Sequence, residues 1–474
     1  MRLSRHLVPI AFAVGLLCSL GAPAPASGEG TRSTYVLIAA DGGSLPEGLA
    51  ERLAARGGSI TYALPEIGVA IVSSADAGFA ADASLIAGVR SVIPDLALAQ
   101  EPDTTTATVP NPPTSDDDRL FDMQWALDAI DAPEAWATGA RGAGVRVAVL
   151  DSGIDVDHPD LAPNLNLALS RSFMPGLPVA APPTGPPSFT GPPHHGTWVA
   201  GIIAAADNGI GTIGVAPEAK LVALRVCPDS GRGCPDSAIL AALVYAAQID
   251  SDVINLSLQA TLERRGFVDR DGTYVSAADV AELLVAFTRA FDFAHRQGAT
   301  IVTIAGNQAH NLDTDQERVQ LFAQLPHAIT VAATGPRGWA SDPSTDLDLH
   351  ACYSNYGQSV VDLAAPGGNI DCSLPFPPPV PWNWCTVVVT LPCWAFDPVV
   401  GSTVNGWSFN WGTSAAAPHV AGVAALVIGA HDGQMNPDAV EAILRASADD
   451  LGKPGVDDYY GHGRVNAARA VAPK

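Results

Sequence analysis

The run Val145-Arg146-Val147-Ala148-Val149-Leu150, which stops abruptly at Asp151-Ser152-Gly153, constrains the fold more tightly than any other stretch of the chain. A short β-branched apolar run with turn residues at its end reads as a strand buried on both faces, and such strands belong to mostly parallel sheets covered by helices on each side. Val253-Ile254-Asn255-Leu256 and Ile301-Val302-Thr303-Ile304 follow the same pattern. The expected class is α/β, three layers around a mostly parallel central sheet. Sheets of this kind do their chemistry just outside the C-terminal ends of their strands, a position that lifts Asp151 above an ordinary turn aspartate.

Two other segments carry candidate chemistry. His194-His195-Gly196-Thr197 leads into the small-residue helix Trp198-Val199-Ala200-Gly201, and Gly412-Thr413-Ser414 leads into Ala415-Ala416-Ala417-Pro418-His419-Val420. Taken singly, a histidine before a helix is an ordinary solvated residue, and Thr413 or Ser414 is a helix cap. Amide hydrolysis, however, needs a nucleophile, a base to take its proton and a group that holds the base in one tautomer. Asp151, His195 and Ser414 supply all three in the chain order Asp, His, Ser, which is the order of subtilisin.

From about Asp122 to Val471 the chain therefore resembles the subtilisin family (subtilases) of secreted serine endopeptidases, whose fold would make this a subtilisin-like α/β domain. The resemblance implies that Ser414 Oγ attacks the peptide carbonyl, His195 takes the proton and Asp151 orients His195. It also implies that Asn307, after the strand Ile301–Ile304, donates to the oxyanion together with the Ser414 N–H. Ser257 and Leu258 would line one wall of the substrate groove, and the Thr303–Gly306 segment, with Ala305 and Gly306, the other. The family often has glycine after the Ser-Leu pair, a second histidine after Gly-Thr and methionine after the nucleophile; here Gln259, Trp198 and Ala415 stand instead. With a histidine base near its ordinary pKa of about 6.5, activity is expected to fall in acid.

Asp157-His158-Pro159-Asp160-Leu161 matches a family segment whose last aspartate binds structural Ca2+. The resemblance makes Asp160 a ligand, with the Asn208 side chain and the carbonyls of Ala206, Ile210 and Thr212 as its partners. One carboxylate, one amide and several carbonyls suit a hard cation. Catalysis itself would need no cofactor.

Met1 to Ala26 reads as a signal peptide, with Arg2 and Arg5, an apolar stretch from Leu7 to Leu20 and the small-residue site Ala24-Pro25-Ala26. Export leaves six of the seven cysteines, an even set that suggests disulfides. Cys227 and Cys234 flank a short loop and are expected to pair; the pairing of Cys352, Cys372, Cys385 and Cys393 stays open. A net charge of −24 argues against nucleic acid or an anionic membrane as partner.

Residues 27–99 carry strand and helix signals in the order βαββαβ: Tyr35–Ala39, Pro46–Arg56, Ser59–Ala63, Val69–Ser73, Ala77–Ala87 and Val89–Ile93. That α+β unit resembles a subtilase propeptide, which implies an intramolecular inhibitor. Residues 100–118, rich in Thr, Pro and Asp, read as an exposed linker and processing region, and 119–474 as the peptidase domain. The expected protein is a secreted, monomeric serine endopeptidase for polypeptide substrates, made as a self-inhibited precursor. A peptide ligase or cyclase on the same fold, or a catalytically silent binding protein, are the alternatives. Pro175–Pro193 and the tryptophan-rich Pro375–Trp411 are insertions, the second read equally as a pocket-shaping loop or as exposed-rim packing.

Overall fold

The computed structural model describes residues 32–98, 107–110 (backbone only), 118–180, 195–228, 233–269, 272–374, 378 and 383–472. The expected signal peptide, most of the 100–118 linker, 181–193 of the proline-rich insertion and 375–382 of the tryptophan-rich one, save 378, lie outside the described residues.

The N-terminal unit runs β1 (Ser33–Ala39), α1 (Leu49–Ala54), β2 (Gly58–Leu64), β3 (Val69–Ser74), α2 (Phe79–Ser84), β4 (Val89–Pro94), and its strands form an antiparallel sheet in the order β2-β3-β1-β4. Alternation along the strands divides its two faces. Leu37, Ala70 and Val72 pack on Leu49, Leu53, Phe79 and Ala83 of the unit's own helices. Val36, Ile38, Val69 and Ile71 join a core shared with the larger unit.

Two short strands follow, β5 (Ala97–Leu98) and β6 (Ala107–Pro110). The larger unit then contains β7 (Arg146–Asp151), β8 (Arg171–Ser172), α3 (His195–Ala204), β9 (Lys220–Arg225), β10 (Cys234–Pro235), α4 (Asp236–Gln248), β11 (Val253–Leu256), β12 (Thr261–Glu263), α5 (Ala277–Arg296), β13 (Thr300–Ile304), β14 (Arg318–Gln320), β15 (Ala328–Thr334), β16 (Leu363–Pro366), β17 (Val399–Thr403), β18 (Gly406–Asn410), α6 (Thr413–Gly429) and α7 (Pro437–Ser447). Seven strands pair in the order β16-β15-β13-β11-β7-β9-β8, every pairing parallel. In β7, Val147 and Val149 face the layer of α3 and α6, while Ala148 and Leu150 face α4 and α5. The apolar run is thus buried on both sides, as its composition dictates. No helix of the described residues is long and apolar enough to cross a membrane.

Disulfides join Cys227 to Cys234, Cys352 to Cys372 and Cys385 to Cys393. Two expectations need correction. The linker is not exposed throughout: β6 adds to β18 as a third strand, and Asp118 is buried. The edge of a two-stranded hairpin offers unpaired backbone groups that a passing segment can satisfy, whatever its composition. The described tryptophans of the second insertion do not all sit on a rim either, since Trp407 is fully buried against Phe396, Val400 and Phe409.

Candidate active site

β7, β11 and β13 are neighbours in the sheet, so their C-terminal ends open side by side. β7 ends in Asp151, β11 runs into Ser257 and Leu258, and β13 runs into Asn307. Facing these ends, α3 starts at His195, and Ser414 is the second residue of α6; the two helices pack on each other.

Asp151 is buried, and both of its carboxylate oxygens lie 2.8 Å from His195 Nδ1. A carboxylate can only accept, so Nδ1 carries the proton and Nε2 is the basic nitrogen. The Ser152 N–H donates to Asp151 Oδ1 at 2.7 Å and fixes the carboxylate from behind. Gly196 makes the approach possible: a Cβ there would stand 2.2 Å from the Gly153 carbonyl oxygen and 3.0 Å from Asp151 Cβ. Trp198, in place of a second histidine, is fully buried and donates to the Val399 carbonyl, tying α3 to β17.

The start of α6 is not capped by Thr413 or Ser414. Its N-cap is Gly412, and the Thr413 N–H and hydroxyl both donate to Asn307 Oδ1, at 2.9 and 2.8 Å. A backbone N–H only donates, so it is the Asn307 oxygen that meets Thr413, and Nδ2 is the other end of the amide. The position a Cβ on Gly412 would take lies 3.4 Å from Asn307 Nδ2 and 3.6 Å from the Ser414 nitrogen. Two donors therefore border one small space that a side chain at residue 412 would fill.

Ser257 and Leu258 have buried side chains. Ser257 Oγ donates to the Ser414 carbonyl at 3.0 Å, which leaves only backbone for a groove wall. Ala305 and Gly306 are likewise buried, on the other side of the opening. His419, five residues past Ser414, is no rival base: its ring is buried against the Ala415 carbonyl, and desolvation lowers its pKa to about 4.

Asp160 is buried, and its Oδ2 accepts from Trp407 Nε1 at 2.7 Å and from the Thr212 N–H and hydroxyl at 3.1 and 3.2 Å. Among the described residues its Oδ1 is buried without a partner, and so is Oδ2 of Asp118, whose Oδ1 accepts the Ile210 N–H at 2.8 Å. Desolvation pushes Asp160 up to about 7 and Asp118 up to about 6. Two orphaned carboxylate oxygens against the Ala206–Thr212 loop fit a hard divalent cation, which would offset their burial. Asn208 lies in that loop, its Oδ1 accepting the Ile210 N–H and its Nδ2 donating to the Pro159 carbonyl. Asp118 was not legible as a ligand, because it ends an acidic run in which any one aspartate looks like the next. At the surface, His295 and His327 stack at 3.9 Å, but each already holds a carboxylate, Asp438 and Asp292 respectively.

A sequence profile described as the Subtilase family matches residues 142–463. Subtilisin BL of Lederbergia lenta is 32% identical over 358 residues, which cover 74% of this chain and 98% of that protein. Thermitase of Thermoactinomyces vulgaris is 30% identical over 359 residues, 76% of this chain and 99% of that one. Among solved structures, an epidermin leader peptide processing serine protease from Staphylococcus aureus shares the fold with a TM-score of 0.69 at 19% identity, covering 93% of this chain and 98% of that chain.

Proposed function

The chain belongs to the subtilase family of serine endopeptidases, and from that premise we propose that Asp151, His195 and Ser414 are its catalytic triad. In this reading Ser414 Oγ attacks a peptide carbonyl as His195 Nε2 accepts its proton, and Asp151 holds the imidazolium that forms. The tetrahedral oxyanion is held by Asn307 Nδ2 and the Ser414 N–H. Collapse expels the amine with the proton returned from His195, and water then repeats the steps on the acyl-enzyme. The observation that carries the reading is a pair of donor nitrogens within 3.6 Å of one point at the start of α6, together with a histidine at the start of the packed helix α3 whose Nδ1 is held by a buried carboxylate. Hydrolysis of an unstructured polypeptide by the wild-type chain, absent from Ser414→Ala at equal folded concentration, supports it; equal hydrolysis by both contradicts it.

We further infer that the α+β unit is an inhibitor of the larger one. Its sheet packs on α4 and α5, and Asp95 accepts the Ser237 N–H and hydroxyl at 2.9 and 2.6 Å at the start of α4. The chain is paired to the larger unit on both sides of 99–106, β5 with β10 and β6 with β18. Processing by the enzyme itself would leave a Ser414→Ala chain uncut in a host without other proteases. Secretion follows in this reading from the signal-like N-terminus, and Ca2+ is held by Asp118 and Asp160 with Asn208 and the carbonyls of Ala206, Ile210 and Thr212 as structural support.

A further inference from the structure

β11 and β13 are adjacent parallel strands, paired from Val253 with Thr300 to Leu256 with Thr303. Beyond those pairs they continue into Ser257–Ala260 and Ile304–Asn307, whose ends are both tied to the start of α6: Ser257 to the Ser414 carbonyl, Asn307 to Thr413. A peptide carbonyl attacked by Ser414 and held by Asn307 directs the side chain of its own residue between these two segments, a placement that rests on the catalytic reading above.

That space is occupied. Gln259, only 7% exposed, spans it and accepts the Asn307 backbone N–H through Oε1 at 2.9 Å. Two more buried amides meet it there. A Cβ on Gly306 would stand 2.5 Å from Asn355 Nδ2, 2.9 Å from Gln320 Nε2 and 3.1 Å from Gln259 Oε1. Each neighbour is anchored: Gln320 Oε1 accepts from Thr261 Oγ1 at 2.6 Å, and Asn355 Nδ2 donates to the Ala305 carbonyl at 2.8 Å. A bulky substrate side chain would have to push Gln259 aside and strand the Asn307 N–H, a loss of about 10- to 100-fold in a binding constant.

We propose that Gln259 sets the specificity of this enzyme, closing the pocket beside Ser414 so that cleavage follows glycine, alanine or serine and not a large aromatic or aliphatic residue. Gln259 is also a positioning residue, since it holds the backbone of the oxyanion donor. The test is a peptide series that varies only the residue contributing the scissile carbonyl, assayed on the active enzyme with active sites counted by a fluorophosphonate. The wild type is expected to favour alanine over phenylalanine or leucine by about 100-fold or more in kcat/KM. Gln259→Gly is expected to lower the rate on alanine somewhat while narrowing that ratio by at least about tenfold. A wild type that cleaves after phenylalanine as well as after alanine overturns the proposal without any variant, and so does a Gln259→Gly enzyme with an unchanged ratio. Rates that fall together on all substrates would reduce Gln259 to positioning alone and also overturn it. Failure of the catalytic reading is distinct, because the fluorophosphonate would then leave Ser414 unlabelled.

Discussion

In the proposed mechanism Asn307 joins the two sides of the site: its amide oxygen accepts from Thr413, and its Nδ2 would hold the oxyanion. Asn307→Ala is expected to lower kcat by about 10²- to 10³-fold with a small change in KM, the loss known for the equivalent donor of a subtilisin; steady-state kinetics on one peptide checks it. Gly412→Ala should do comparable damage, because its methyl group lies against both donors and its backbone, at φ 144°, is one that alanine rarely adopts. Near-normal turnover in that variant would place the oxyanion elsewhere. That Asn307 follows a buried strand was legible in the sequence. The bond from Gln259 to its backbone was not, since a lone glutamine after a strand has no pattern of its own and its partner lies 48 residues away. The bond from the Ser257 hydroxyl to the Ser414 carbonyl was not legible either, because sequence order does not say which way a strand-end side chain turns.

At the start of α4 two buried carboxyls lie where the two units meet. Among the described residues, Asp236 is fully buried there with both carboxylate oxygens unpartnered, its N–H donates to the Leu96 carbonyl, and the charged group facing it is Asp95. Desolvation raises Asp236 well above the usual carboxylate range, the charge of Asp95 adding to it, and pushes Asp95 up to about 6. A carboxyl whose pKa is raised in the packed state favours packing while it is protonated and opposes it once ionised. The contact is therefore expected to be firm below about pH 4 and to weaken as pH rises through 6 and beyond. After linker cleavage, the α+β unit should separate from the larger unit more readily at pH 8 than at pH 5, as read by gel filtration. Asp236→Asn should flatten that dependence; an unchanged profile would assign the separation to other groups. At this scale the periodic elements were legible. α5 runs Ala277–Arg296 behind a Ser276–Asp279 capping box, with Val280, Leu283, Phe287 and Phe291 buried at helical spacing. β5 and β6 were not, since two- and four-residue strands acquire their register only from the edges they meet.

Across the whole molecule, a chain of net charge −24 keeps two buried carboxylates near one loop, at a cost that Ca2+ would remove. Chelation is expected to lower the melting temperature and added Ca2+ to restore it, since about 2.7 kcal/mol is gained at a hundredfold excess over Kd. Asp118→Asn should shrink that difference, and a melting temperature indifferent to both chelator and Ca2+ would leave the two aspartates without a cation. The parallel sheet, the order of the N-terminal elements and the Cys227–Cys234 bond could all be read from local pattern. The inward packing of Trp407 and its bond to Asp160 depend on where an insertion lands in three dimensions.

The central claim, that Ser414 is a nucleophile activated by His195 and Asp151, is tested most directly by reacting the enzyme with a fluorophosphonate and mapping the adduct by peptide mass spectrometry. The account predicts one adduct, on Ser414, lost in Ser414→Ala and strongly slowed in His195→Ala. An adduct on any other residue, or equal labelling of the His195→Ala chain, would contradict it.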